Sequence, residues 1–495
     1  MTTLQPTPSV VPEAARQTSA ARPAPDLHLY LDDLARRQPD QVVTIDRPIH
    51  SDQEITALIK KLEAARKLPV LIFTNVVGPH GRTSRYRLVM NLLASRHRCA
   101  EAMGTTFEQV GIEYYRRARL QRREPLVVDA AAAPVKEVVR PGDEVDLFDF
   151  PAMVHFRLDP GPYISAGFLT TYDPESGVDN CALQRGWIVN RNTVRCYTST
   201  FSQNRINHRR FNARGEDTPV AFWIGHHPLA YLGGQARLPY PESHFPAIGG
   251  LIGEPLRLVP TETFGDKLLV PADAEVVIEG YLEANKLYPE GPFGEYTGYN
   301  GPQIPNPQMR VTAITHRAEP YWMNILVGGA DNHWGSYAIE GVLYETVKAR
   351  VPSLQNVFLP NSAMARFHAY LQLRDPQPGD AREAIMVALT TDYRLKHVFV
   401  FDDDIDIFNE AECLFALATR TQWDRDVMVF PGTRASPLDP SVAVNVGTKG
   451  GIDCTKPVGQ AFSERNRVDR AVDLAVRVED FIPASVLERI AAENM

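Results

Sequence analysis

A chain of 495 residues, 44% hydrophobic and 23% charged, has the composition of a soluble globular protein and is too long for one ordinary core, so two or three domains are expected. Its formal charge of -8, with no long basic block, argues against nucleic acid as a partner, and no apolar run approaches the roughly 18 residues that span a bilayer. Five cysteines without CxxC spacing (Cys99, Cys181, Cys196, Cys413, Cys454) argue against a disulfide framework and a structural zinc site and read as buried free thiols.

The start Met1-Thr2-Thr3-Leu4-Gln5-Pro6 has no basic segment followed by an apolar block, which argues against a secretory signal and for a cytoplasmic location. Residues 1–26, rich in Pro, Ala, Thr and Ser, predict a disordered tail. Order is expected from the short helix at Leu27-His28-Leu29-Tyr30-Leu31. Ser51-Asp52-Gln53-Glu54 has capping-box spacing, and Ile55, Leu58, Ile59 and Leu62 follow at helical intervals. The apolar run from Pro69 to Asn75 reads as a buried strand, so residues 27–133 predict an α/β domain. From residue 134 to 335 the texture changes to short β-like runs between Gly, Pro and Asp, which predicts a compact barrel or sandwich. The basic run Asn204 to Arg210 within it reads as a solvated face or a subunit contact, and His226-His227 as a packed or solvated pair. Residues 336–480 return to α/β, with a helix from Tyr337 to Val351, a strand from Lys396 to Phe401 and a helix from Glu410 to Arg420. Pro483 to Ala492 predicts a last amphipathic helix, within residues 481–495, that docks on its own subunit or a neighbour.

Two stretches carry the chemistry. In Pro289-Glu290-Gly291-Pro292-Phe293-Gly294-Glu295-Tyr296, glycines and proline break any helix and leave a shaped loop with two acids five residues apart. Held in different environments, two such acids acquire different pKa values, so that one stays ionised while the other carries a proton. A solvated surface turn with two inert glutamates is the alternative on the loop alone. The second stretch is Asn180-Cys181-Ala182-Leu183-Gln184-Arg185, upstream of Pro271 to Gly280.

Together these segments resemble the UbiD family of reversible decarboxylases, over about residues 30 to 460. The resemblance implies a central split β-barrel of the flavin-reductase kind that binds the cofactor, flanked by an N-terminal α/β domain and a C-terminal α/β oligomerisation domain, and a homodimer or larger assembly. It implies prenylated FMN, supplied by a flavin prenyltransferase as partner. Loss of CO2 from an sp2 carbon leaves electrons that no side chain can delocalise, so a cofactor must accept them. Arg185 matches the catalytic arginine, although a purely structural pair with Glu290 is the alternative; Glu290 matches its carboxylate partner and Glu295 the acid that protonates carbon. Asn180, Leu183, Gln184, Arg185, Ser202 and Gln203 match cofactor-binding positions. His333, Trp334 and Leu438 match the substrate pocket, Leu438 as a leucine that closes over the substrate.

The metal ligands depart from the pattern. The resemblance implies an Asn, a His and a Glu holding manganese or magnesium at the cofactor phosphate, with potassium nearby; here these positions carry Asn180, Gln203 and His244. Neutral replacements weaken the preference for hard cations. Either Glu242 rearranges the site or a cation such as Arg205 or Lys449 takes the phosphate. The resulting expectation is a non-oxidative, reversible decarboxylase of an aromatic, heteroaromatic or α,β-unsaturated acid. Two rivals remain: an FMN oxidoreductase on the same barrel, and a non-catalytic member acting in assembly.

Overall fold

The computed structural model describes residues 25–199, 202–487 and 489–490, so the tail expected over residues 1–26 lies, apart from its last two residues, outside the described residues. The first helix, Leu27–Arg37, is capped by Asp26, whose Oδ1 accepts from the Leu29 N–H at 2.8 Å, and it buries Leu27, Leu31 and Leu34. The second, Glu54–Ala64, buries Ile55 and Ile59 as the spacing predicts. Its capping box does not form. Ser51 is drawn into strand-like pairing, its N–H donating to the Val77 carbonyl and its own carbonyl accepting from Val154, so Gln53 becomes the N-cap and Glu54 turns back to the His50 N–H.

Val70–Phe73, buried at all four positions, lies inside a four-stranded sheet ordered Val42–Ile45, Val70–Phe73, Arg87–Met90, Tyr321–Met323. The last of these strands arrives from more than 200 residues downstream and pairs parallel to Arg87–Met90. The central sheet has nine strands among the described residues, paired antiparallel. It is a curled half-barrel, the split-barrel class expected. The pairing of Val276–Leu282 on Gln308–His316 shifts register between Glu279 and Gly280, a bulge of the kind that bends strands. Gly280 permits it, since a Cβ there would collide with the Arg310 carbonyl. Both sheets share one hydrophobic core, running from Leu27 to Ala338.

The later sheet is ordered Leu354–Phe358, His368–Leu373, His397–Asp402, Val446–Asp453, Val427–Arg434, with parallel pairings around its centre. Helices Tyr337–Lys348 and Asp380–Thr391 belong to its separate core, and Glu410–Arg420 to a smaller cluster. All five cysteines are free and buried. Residues 456–495 form a second unit with helices Arg470–Ala475 and Ala484–Leu487. The last helix expected over Pro483 to Ala492 is therefore only four residues long among the described residues, too short to persist by its own hydrogen bonding. No helix of the described residues is long and apolar enough to cross a membrane.

A buried ion pair ties the first core to the later one. Arg96 donates through both Nη atoms to Glu340 at 3.0 and 2.9 Å, and Glu340 also accepts from the Leu359 N–H and the Ser336 hydroxyl. Removing one member strands the other charge in the interior. Glu340→Ala should lower the unfolding free energy by about 3–5 kcal/mol in urea titrations, and a loss below about 1 kcal/mol would show the pair to be dispensable.

Candidate active site

The acidic loop is held by two short ladders. Tyr288–Glu290 pairs with Ile304–Asn306, and Phe293–Gly294 pairs with Asn300–Gly301. Gly291, at φ 87°, makes the turn between them in a region open chiefly to glycine. Asp159 pins the loop from below, accepting from the Gly294 N–H at 3.2 Å and from the His155 and Phe156 N–H groups at 3.0 Å each. The loop is thus shaped, and both glutamates are buried rather than solvated.

Arg185 sits between strands Asp179–Leu183 and Gly186–Asn190 and meets both acids. Its Nε and Nη2 donate to the two oxygens of Glu290 at 2.8 Å each, and its Nη1 donates to Glu295. The guanidinium packs over the rings of Tyr197 and Phe293, with centroids 4.1 and 4.7 Å away. Burial works against its charge, but Glu295 and Glu290 outweigh that and raise its pKa. The carboxylates differ in kind. Glu290 also accepts from the Tyr163 hydroxyl at 3.2 Å and the Asn306 amide at 3.4 Å, so its oxygens are saturated. Glu295 has Arg185 as its side-chain donor, and burial raises its pKa against the pull of that arginine.

Two cavities meet at this point. The smaller, about 220 Å³, is lined by Arg185, Glu295, Phe293, Trp334 and Arg366 among others; Glu290 does not line it. The larger, about 430 Å³, is lined by Asn180, Ser202, Gln203, Arg237 and His244 among others. Leu183, Gln184, Tyr197, Gln235 and Arg394 line both. Together they lie within the ~300–1,000 Å³ usual for a small-molecule or cofactor site. All six residues matched to cofactor binding line this paired space.

Two of the three residues matched to the substrate pocket, His333 and Leu438, do not line the smaller cavity. Ala330–Ser336 is a tight 3₁₀ turn, so successive side chains point apart; Trp334 faces the smaller cavity while His333 packs against Tyr337, with Nδ1 3.0 Å from the Ala330 carbonyl. Leu438 lines neither cavity. Its neighbour Ser436 instead reaches the acidic loop, 2.9 Å from the Tyr296 hydroxyl.

The residues at the expected metal positions are a poor match to an ion. Asn180, Gln203 and His244 do line one cavity, yet all three are neutral, and the described residues hold no group of three or more His, Cys, Asp or Glu side chains able to bind an ion. Burial holds the His244 pKa at about 4. Glu242 cannot complete a cage because Arg122, at 2.5 Å, and Arg119, at 3.7 Å, already occupy it. Such a set does not fit a hard divalent cation, which takes charged oxygen ligands. Nor do the suggested cations reach the cavity: Arg205 donates to the Thr198 hydroxyl, and Lys449 to the carbonyls of Leu389 and Asp392.

Sequence reasoning missed the cations that do line the space, Arg237, Arg366 and Arg394, and the acid Asp331. Arg394 is paired with Asp392 at 2.5 Å. Asp331 accepts from the Leu326 N–H at 3.1 Å, and burial pushes its pKa up to about 7. The three arginines lie in turns between elements and Asp331 in the short 3₁₀ segment, where no hydrophobic period marks them.

Three family profiles match the chain in order, described as the N-terminal, Rift-related and C-terminal domains of 3-octaprenyl-4-hydroxybenzoate carboxy-lyase, over residues 34–117, 126–330 and 333–454. Anhydromevalonate phosphate decarboxylase of Methanosarcina mazei is 30% identical over 451 residues, covering 90% of this chain and 99% of that protein. The UbiD-class enzyme HmfF from Pelotomaculum thermopropionicum, in complex with FMN, superposes with a TM-score of 0.86 at 30% identity, over 92% of this chain and all of that one. An evolved dimeric form of HmfF in complex with prenylated FMN gives 0.83 at the same identity and coverage. With its three parts in family order and its arginine set between two glutamates beside a flavin-sized space, this chain belongs to the UbiD family of carboxy-lyases.

Proposed function

We propose that the protein is a non-oxidative, reversible decarboxylase of an aromatic, heteroaromatic or α,β-unsaturated acid that works with prenylated FMN. The observation that carries the reading is Arg185 fixed by a saturated Glu290 on one side and joined on the other to Glu295, which alone of the two acids faces the cavity. The bound cofactor would supply the electron sink that side chains lack. Arg185 orients the substrate carboxylate, and Glu290 fixes the guanidinium in place for that task. Glu295 delivers a proton to carbon after CO2 leaves; in the reverse direction its carboxylate removes that proton. The apolar wall of Phe293, Ile325, Leu326 and Trp334 limits water. A flavin prenyltransferase as cofactor supplier, a homodimer or larger homo-oligomer and a cytoplasmic location go with this reading; HmfF in its evolved dimeric form supports the second.

Arg366 narrows the substrate class. It lines the smaller cavity, yet its guanidinium bonds are to the carbonyls of Ala365, at 2.7 Å, and Asn332, at 3.3 Å, with no carboxylate paired to it among the described residues. Burial, with Arg394 and Arg237 nearby, pulls its pKa down to about 9, which still leaves it charged at neutral pH. A second anionic group on the acid would compensate that charge. The relative from M. mazei is named for a phosphate-bearing acid, which supports the same reading.

Protein made alongside a flavin prenyltransferase should carry prenylated FMN by mass spectrometry and release CO2 from such acids without consuming NAD(P)H or oxygen. Redox turnover would instead favour a flavin oxidoreductase, and a colourless, flavin-free preparation would favour a non-catalytic role. Glu295→Gln should slow decarboxylation by about 10²–10⁴-fold while Glu295→Asp retains more activity; equal rates in the two variants would remove Glu295 as the donor. Because the pKa of Glu295 is raised, its acid form persists above the usual carboxylate range and is lost as pH rises through the raised value. Decarboxylation should therefore fall along an alkaline limb, and carboxylation at high CO2 should rise along the same limb. Arg366→Leu should raise KM about tenfold or more for a dianionic acid and leave a monoanionic acid nearly unchanged.

A further inference from the structure

We infer that the cofactor phosphate is held by the guanidinium of Arg237 in place of a divalent metal, and that Gln203 and His244 position this arginine instead of ligating an ion. The inference rests on the flavin-dependent reading above. Gln203 donates from Nε2 to the Leu238 carbonyl at 3.0 Å, and His244 from Nε2 to the Ala236 carbonyl at 3.1 Å. Residues 236 and 238 flank Arg237. The side chains at two of the three expected ligand positions thus grip the backbone on either side of the arginine. Their remaining heteroatoms, Gln203 Oε1 and His244 Nδ1, are buried and without hydrogen-bond partners.

Arg237 itself lines the larger cavity. Among the described residues its guanidinium makes no hydrogen bond or ion pair, whereas Arg394 on the same wall is neutralised by Asp392. The Arg237 side chain stays open to solvent on that wall, with Arg394 and Asp392 both close by. Asp392 is committed to Arg394, so the donors of Arg237 are open to a phosphate entering the larger cavity. Charge is conserved by the exchange. A divalent ion with one glutamate presents a net +1 to the phosphate, and a guanidinium beside neutral Gln203 and His244 presents the same. The planar fork adds paired hydrogen bonds to phosphate oxygens.

The test compares FMN with riboflavin, which lacks the phosphate, by flavin fluorescence quenching on metal-stripped protein in EDTA and again with added Mn2+. The affinity for FMN should agree within about threefold between the two conditions. Arg237→Met should weaken FMN by about 30-fold and leave riboflavin unchanged. Should that variant fail to fold, Arg237→Lys, which keeps the charge without the fork, should weaken FMN by about fivefold with riboflavin again unchanged. Gln203→Leu should erode the preference for FMN over riboflavin, where general loosening would weaken both flavins alike. A tenfold or greater loss of FMN affinity in EDTA that Mn2+ restores overturns the inference alone, as does an Arg237→Met or Arg237→Lys protein whose preference for FMN is intact. Absence of flavin binding under every condition would overturn the flavin-dependent reading together with it.

Discussion

Arg185 is the charge around which the site is built. A guanidinium taken out of water is tolerable only with well-placed counter-charge, and Glu290 provides it through two 2.8 Å hydrogen bonds. That demand fixes the neighbourhood. Tyr163 and Asn306 saturate Glu290, the two short ladders hold the acidic loop at the right height, and Asp159 anchors its backbone. Glu295 is what remains after the pairing is satisfied. It has one arginine contact, an apolar setting and a face on the cavity, so the asymmetry between the two acids follows from geometry.

Much of this was legible in the residues. Glycine and proline between Glu290 and Glu295 ruled out a helix, and periodicity located the Glu54–Ala64 helix and the Val70–Phe73 strand within a residue or two. The helix Glu410–Arg420 has the limits its pattern predicts. The failures share a cause: each turned on the direction of one side chain in an irregular segment. Ser51 carries the right spacing for a cap but is claimed by pairing with Val77 and Val154. His333 and Trp334 are adjacent in sequence and face different surroundings because the turn that bears them is 3₁₀. Arg237, Arg366 and Arg394 come from connections far apart in the chain, and only the tertiary fold shows that they converge on one space.

The electrostatics of that space divide along its length. At one end stand Glu295, Arg185 and Arg366, with Glu290 behind the Arg185 guanidinium; at the other stand neutral amides, a neutral imidazole and Arg237. Between them Arg394 and Asp392 cancel. A ligand acidic at its far end and flat at its near end matches this division, as a flavin mononucleotide does. The departures from the family ligand pattern at Gln203 and His244 then belong with Arg237 as one exchange of charge carriers, rather than as decay of the site.

The strand Tyr321–Met323 completes a sheet whose other members lie before residue 91. On the ribosome, the amino-terminal sheet must therefore wait with an open edge until more than two hundred further residues have emerged. Ile325 and Leu326, which directly follow that strand, form part of the reaction cavity wall. Closing the sheet edge and adding this part of the cavity wall are thus coupled in biosynthesis, while Arg366 and Arg394 join the wall only as the later sheet emerges.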